Sequence, residues 1–162
     1  MGFTSLISGI RVDNHPTYEE LITAHQTYPH LIQFLNKQGY QTYRLNTMAN
    51  FNNDDYLKID SIAQNYFHTH HWTKYSDIPY SGYKYDYFGG IPDQYALSFW
   101  YETILDKSTH PHYLFFITLN THAPFYLPPP ILENWRDLDK IQSSPHKGNR
   151  LEKGIPIVRY AQ

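Results

Sequence analysis

Tyr113-Leu114-Phe115-Phe116-Ile117-Thr118-Leu119 is apolar almost without alternation and is bounded by polar residues on both sides. A short continuous apolar run of this kind reads as a strand buried on both faces, as in a parallel sheet covered by helices. The next segment, Asn120-Thr121-His122-Ala123-Pro124-Phe125-Tyr126, leaves the strand at its carboxyl edge and runs into Pro128-Pro129-Pro130. In open α/β sheets ligands bind just beyond the carboxyl ends of the strands. His122 therefore stands where substrate would be met, with Asn120 and Thr121 shaping its loop and Ala123-Pro124 stiffening the chain after it. Imidazole suits such a place because it can donate, accept or carry a proton near neutral pH.

Working outward, the elements before this strand alternate. Pro29 to Gln38 sets Leu31, Phe34 and Leu35 on one helical stripe, and Gly39 follows where a helix end favours positive φ. Tyr40 to Leu45 is rich in strand formers. The spacing predicts a second helix from Asp54 to about Tyr66, with Asn53 as its N-cap. His68 to Gly90 reads as a long aromatic-rich loop, and Pro92 opens a third helix to about Asp106 with Ala96, Phe99, Trp100 and Ile104 as its apolar stripe. The tail from Gln142 to Gln162 is polar and loop-like until Ile155-Pro156-Ile157-Val158-Arg159-Tyr160. The fold class is α/β: part of a mostly parallel sheet flanked by helices.

Composition excludes several functions. The chain has 162 residues, 13 Lys+Arg against 15 Asp+Glu, and a formal net charge of −2. Near-neutral charge without a basic block argues against a nucleic-acid or anionic-membrane binder, which needs clustered positive charge. With no cysteine, a disulfide scaffold, a Cys-ligated zinc site and a thiol nucleophile are excluded. The longest apolar run falls far short of the roughly 20 residues that span a bilayer, and Met1 to Ile10 has no signal-peptide pattern. A hydrophobic fraction of 41% with 16 Tyr, 9 Phe and 3 Trp is enough to form a core.

Other chemistry-bearing residues point less sharply. Ten histidines include His68-Thr69-His70-His71 and His110-Pro111-His112, but HExxH is missing and the clusters read as solvated loop rather than a metal site. Asp13-Asn14-His15 reads as a turn. Gly89-Gly90-Ile91-Pro92 is a loop-to-helix junction rather than a phosphate loop, and Asp93 suits the positive end of the helix dipole. The Tyr75 to Tyr87 loop admits two readings: a carbohydrate- or aromatic-binding surface, or a packed loop with satisfied phenols.

Taken in order, Phe3-Thr4-Ser5-Leu6-Ile7-Ser8-Gly9-Ile10, Pro29 to Thr42, Gly90-Ile91-Pro92-Asp93 and Phe115 to Phe125 resemble the sulfatase family of the alkaline-phosphatase superfamily. The nearest likeness is to the lipoteichoic-acid-synthase-like, membrane-anchored branch. The first piece resembles the end of the helix that carries the family's nucleophile, the second its helix–strand step. The last resembles the strand ending in TxxHxPF, whose His contacts the sulfate or phosphate ester. The resemblance implies an alkaline-phosphatase-like fold and action on sulfate or phosphate esters. Phosphoglycerol or phosphoethanolamine transfer is one alternative; a non-catalytic remnant or a binding module with a Tyr/His-rich loop is another.

Departures from the family pattern sharpen these expectations. The family's nucleophile falls several residues ahead of the Ser5-Leu6-Ile7-Ser8-Gly9 counterpart, which here lies before Met1, and Thr4 and Ser5 do not stand at its offset. No Asp-His dipeptide occurs anywhere in the chain, and Ile157 to Ala161 resembles the segment just ahead of that pair. Residues 1–162 are therefore expected to be a partial, incomplete catalytic domain, without the N-terminal nucleophile region and the C-terminal metal-binding region. Leu45-Asn46-Thr47-Met48 stands where the lipoteichoic branch has His-Gly. The complete enzyme would use a divalent metal (Mn, Mg or Ca), with none bound by this chain alone. Its partners would be the ester substrate and the missing parts of the same domain, with no nucleic acid. Relatives of this branch are membrane-anchored with an extracytoplasmic catalytic domain.

Overall fold

The computed structural model describes residues 2–9, 11, 20, 23, 30–49, 64–85, 89–105, 109–119 and 130–143. Its elements are α1 (Gly2–Ser8), α2 (Leu31–Lys37), β1 (Gln41–Leu45), β2 (His71–Thr73), α3 (Asp93–Thr103) and β3 (His112–Phe116), with 3₁₀ turns at Tyr75–Asp77 and Trp135–Lys140. The strands form one three-stranded sheet in the order β2-β1-β3. They run parallel, since starts pair with starts and ends with ends. The Gln41 N–H donates to the Pro111 carbonyl and the Asn46 N–H to the Thr73 carbonyl, both at 2.9 Å. A parallel sheet flanked by helices is the expected α/β architecture.

Contacts divide the chain into two compact units. The first holds Met1–Arg44, Phe51–Trp72 and Thr109–Phe115; the second holds Leu45–Asn50, Thr73–Ser108 and Phe116–Gln162. In sequence, the chain passes from the first to the second near the end of each strand.

In the first unit α1 packs against α2. His30 caps α2, its Nδ1 accepting from the Gln33 N–H at 3.4 Å. The helix stops at Gly39, whose φ of +82° suits a residue without Cβ. There the Gly39 N–H donates to the Asn36 carbonyl and the Tyr40 N–H to the Leu35 carbonyl, each at 3.1 Å. This pair of bonds is a Schellman motif and turns the chain directly into β1. The inward face of α2 differs from the expected stripe: Ile32 is fully buried while Phe34 is 58% exposed. Apolar residues on both sides of a short helix leave its rotation to be set by packing, not by period.

β1 is the central strand, and Thr42, Tyr43, Arg44 and Leu45 are all buried. That corrects the reading of residues 113–119 as the strand covered on both faces. Among the described residues β3 lies at the side of the sheet, ends at Phe116, and buries only Phe115 fully. The expected loop after His68 also contains β2, too short at three residues to show a period. The helix expected from Asp54 to Tyr66 is described only at 64–67, which is helical. Its start, like the tail beyond Ser143, lies outside the described residues.

Arg44 is 6% exposed, although its charge would be costly to bury alone. Its guanidinium lies over the rings of Phe115, Phe67 and Trp72 at 4.9, 5.5 and 5.6 Å. Its Nη1 donates to the Phe115 carbonyl at 3.3 Å. A weakly hydrated, planar cation is suited to such aromatic surroundings.

The second unit is organised around α3, which starts at Pro92 as N-cap and buries Asp93, Tyr95, Ala96 and Trp100. The loop ahead of it is packed. Tyr80 donates its hydroxyl proton to the Tyr83 carbonyl at 2.7 Å, and Tyr95 donates to the Pro79 carbonyl at 2.8 Å. Asp139 accepts from the Gly82 N–H at 3.0 Å and from the Ser81 hydroxyl at 3.1 Å. The packed-loop reading of this Tyr-rich stretch is the one these contacts support. Among the described residues no helix is long and apolar enough to cross a membrane.

Candidate functional site

Three stretches of the second unit, two of which follow β1 and β3 in the chain, come together. The first is Asn46-Thr47, where β1 ends. Asn46 turns the chain there, its Oδ1 accepting from the Met48 N–H at 3.3 Å. The second is the junction Gly89 to Asp93 at the start of α3. Its Ile91 N–H donates to the Thr47 carbonyl at 3.0 Å, and its Gly90 carbonyl accepts from the Tyr85 N–H at 2.9 Å. The third is Leu119, the last described residue before Asn120-Thr121-His122.

Two close contacts join these stretches. A Cβ on Gly90 would sit 2.2 Å from Leu119 Cδ1 and 3.3 Å from the Thr47 carbonyl oxygen, so glycine permits the approach. The Asp93 carboxylate accepts the Leu119 N–H with both oxygens, at 2.9 and 3.0 Å. Asp93 is 7% exposed. Its charge, second to burial itself, pushes the neighbouring Tyr85 phenol above the ordinary tyrosine range. Thr47 is 2% exposed, and its hydroxyl finds no hydrogen-bond partner among the described residues.

Asp93 thus does more than face a helix dipole. Sequence reasoning missed this because its partner lies 26 residues away; an acid at a helix start, in a chain whose apolar strand follows that helix, was the available signal. The predicted site residues His122, Asn120 and Thr121 lie outside the described residues, as do Asp13, Asn14 and His15.

The histidine clusters serve the sheet. The His70 N–H donates to Thr42 Oγ1 at 3.1 Å, and the Thr42 hydroxyl donates to Asn36 Oδ1 at 2.6 Å. His71 stacks on Tyr43 at 4.8 Å, and His112 stacks on Tyr43 at 5.6 Å. His68 takes φ of +51° and offers its carbonyl to Asn36 Nδ2 at 2.8 Å. Among the described residues no three His, Asp or Glu side chains are grouped to hold a metal ion. Asp93 and Asp139 are engaged by backbone N–H groups. The described residues therefore do not fit a metal centre.

Comparison with known proteins adds the family. The sulfatase family model matches residues 2–147, a span that includes every family-like motif from Phe3 to Phe125. No curated protein and no solved structure matches the chain. With nearly its whole length matched, and with the parallel sheet and the strand-end junction in place, the chain belongs to the sulfatase family.

Proposed function

We propose that this chain carries the substrate-contacting segment of a hydrolase acting on sulfate or phosphate esters, with His122 as the contacting side chain and Asn120 and Thr121 shaping its loop. The observation that supports this is the Asp93–Leu119 hydrogen bond, which holds the backbone immediately ahead of that segment at the carboxyl edge of the sheet. The non-bridging oxygens of either ester are negatively charged, and an imidazole N–H can donate to them or deliver a proton to the leaving alkoxide. The likeness of its motifs to the lipoteichoic-acid-synthase-like branch supports a phosphate-ester version of this reading.

Contact alone does not complete the reaction. Ester cleavage in this family also needs an oxygen nucleophile and a divalent metal (Mn, Mg or Ca), and the described residues form no site for that metal. By itself the chain is expected not to turn over p-nitrophenyl sulfate or phosphate with added Mn²⁺, Mg²⁺ or Ca²⁺. The contact role is tested by adding inorganic phosphate or sulfate while following the His122 ring by NMR. A saturable shift, lost on His122→Ala in the remaining loop signals, is expected. No response at tens of millimolar anion, or turnover by the isolated chain that His122→Ala abolishes, overturns the respective half of the proposal.

A further inference from the structure

We infer that Asp93 is a positioning residue for the segment that begins at Asn120, and in that role the inference rests on the function proposed for His122. Four observations carry it. First, β3 ends at Phe116, so Leu119 lies three residues beyond the last residue of the strand. Second, the Leu119 N–H is taken instead by a side chain, the Asp93 carboxylate, with both oxygens in reach at 2.9 and 3.0 Å. Third, the acceptor is itself held: Asp93 is in the first turn of α3, and its junction is tied within the second unit by the Ile91 N–H to Thr47 carbonyl bond of 3.0 Å. Fourth, the Leu119 side chain fills the space that a Cβ on Gly90 would occupy.

A charge-assisted bond to a buried carboxylate is stronger than a neutral one. It fixes the amide at the point where the strand no longer does so. A carboxylate serving only the helix dipole would need no such partner and could be replaced by any acid. The two roles separate by substitution. Asn keeps an acceptor of the same reach without the charge, whereas Glu keeps the charge and moves the oxygens by a methylene.

Hydrogen exchange on the full chain reads the difference, with the Ala96 amide as control because it bonds within α3, to the Pro92 carbonyl. Asp93→Ala and Asp93→Glu should speed exchange at Leu119 by about 10–100-fold while Ala96 changes by less than about threefold; Asp93→Asn, which keeps an acceptor and loses the charge, should speed Leu119 by less than about 10-fold and leave Ala96 near the parent. The His122 ring resonance should move in the Ala and Glu variants and move less in the Asn variant. The inference is overturned if Leu119 and Ala96 speed up together, or if Asn behaves as Ala does. It is also overturned if His122 is indifferent to all three substitutions. Should Asp93→Ala unfold the chain, the Glu and Asn pair decides alone. Phosphate added to the unsubstituted chain tests the other reading separately. Silence at His122 there removes the proposed function, while the exchange at Leu119 still decides whether Asp93 holds this backbone.

Discussion

The two compact units settle their buried charges by different chemistry. The first buries a cation and an imidazole beside its phenols Tyr43 and Tyr66: Arg44 lies among aromatic rings, His30 caps a helix, and Thr42 bonds to Asn36 and His70. The second buries phenols and relies on carboxylates: Tyr80, Tyr85 and Tyr95, with Asp93 and Asp139 accepting backbone N–H groups. The difference follows from where backbone amides find partners. In the first unit most of the sheet pairs its own backbone, so side chains are left to pack and to tie strands together. In the second, long non-repetitive stretches have no ladder, and fixed carboxylates replace it. A loop held that way has a defined shape without regular structure.

The largest effect that would sharpen this contrast is expected at Arg44. Arg44→Ala empties a buried site and should cost about 3 kcal/mol in denaturant unfolding. Arg44→Met keeps most of the volume and should cost under about 1.5 kcal/mol. Equal losses would show that the charge, rather than the filling of the cage, holds the first unit together. Next is Gly82→Ala in the second unit, whose new methyl would meet the Leu138 carbonyl oxygen at 2.7 Å and the Tyr80 hydroxyl at 2.6 Å. About 2 kcal/mol of destabilisation is expected, with exchange rising first across residues 80–83 and 138–141. A neutral result would mean that the carboxylate-held loop yields more easily than its contacts suggest.

Smaller effects come with pH: at the alkaline end they fall mostly on the second unit, and at the acid end on the first. Burial raises the Tyr80, Tyr85 and Tyr95 phenols above the usual 10.0, and Tyr113 in the first unit likewise. The folded state holds those protons more tightly than the unfolded one. Their stabilisation is therefore complete below pH 10 and lost as pH rises beyond it. Hydrogen exchange at alkaline pH should open the second unit before the first, and Tyr85→Phe should delay that opening. Opening of the first unit first would break the comparison. At the acid end, burial lowers His68 from 6.5. The folded state then binds the proton less well, so stability is full above pH 6.5 and falls as pH drops through the lowered value. His68→Asn, which tolerates the positive φ, should leave the melting temperature at pH 7 nearly unchanged and flatten its fall toward pH 5. An unchanged acid slope would remove His68 as a source of acid sensitivity.

Much of the fold was legible from local signals. Gly39 marked the end of α2, Pro92 the start of α3, and the residues after Gly39 marked β1, because each is a decision of the backbone made within a few residues. The order of motifs was enough to point to the sulfatase family. Other features depended on distant partners. An apolar run cannot tell a central strand from one at the side, and the central position went to Thr42-Tyr43-Arg44-Leu45. β2 was too short to show a period, and Phe34 gave way to Ile32 as the inward residue of α2. At the candidate site, the helix–loop junction was legible as a turn, but the Asp93–Leu119 bond was not, since nothing local requires it.

Arg44 has a consequence for how the chain is made. Its hydrogen-bond acceptor, the Phe115 carbonyl, lies 71 residues later. The first unit also needs Thr109–Phe115 to be complete. During synthesis, β1 therefore leaves the ribosome with its guanidinium still in water, and the strand stays unfinished while some seventy further residues are added, a few seconds' work at about 5–20 residues per second. The central strand is made well before the residue that satisfies its arginine. Through that interval it depends on a solvated charge to keep an otherwise sticky, unpaired strand from pairing with the wrong neighbour.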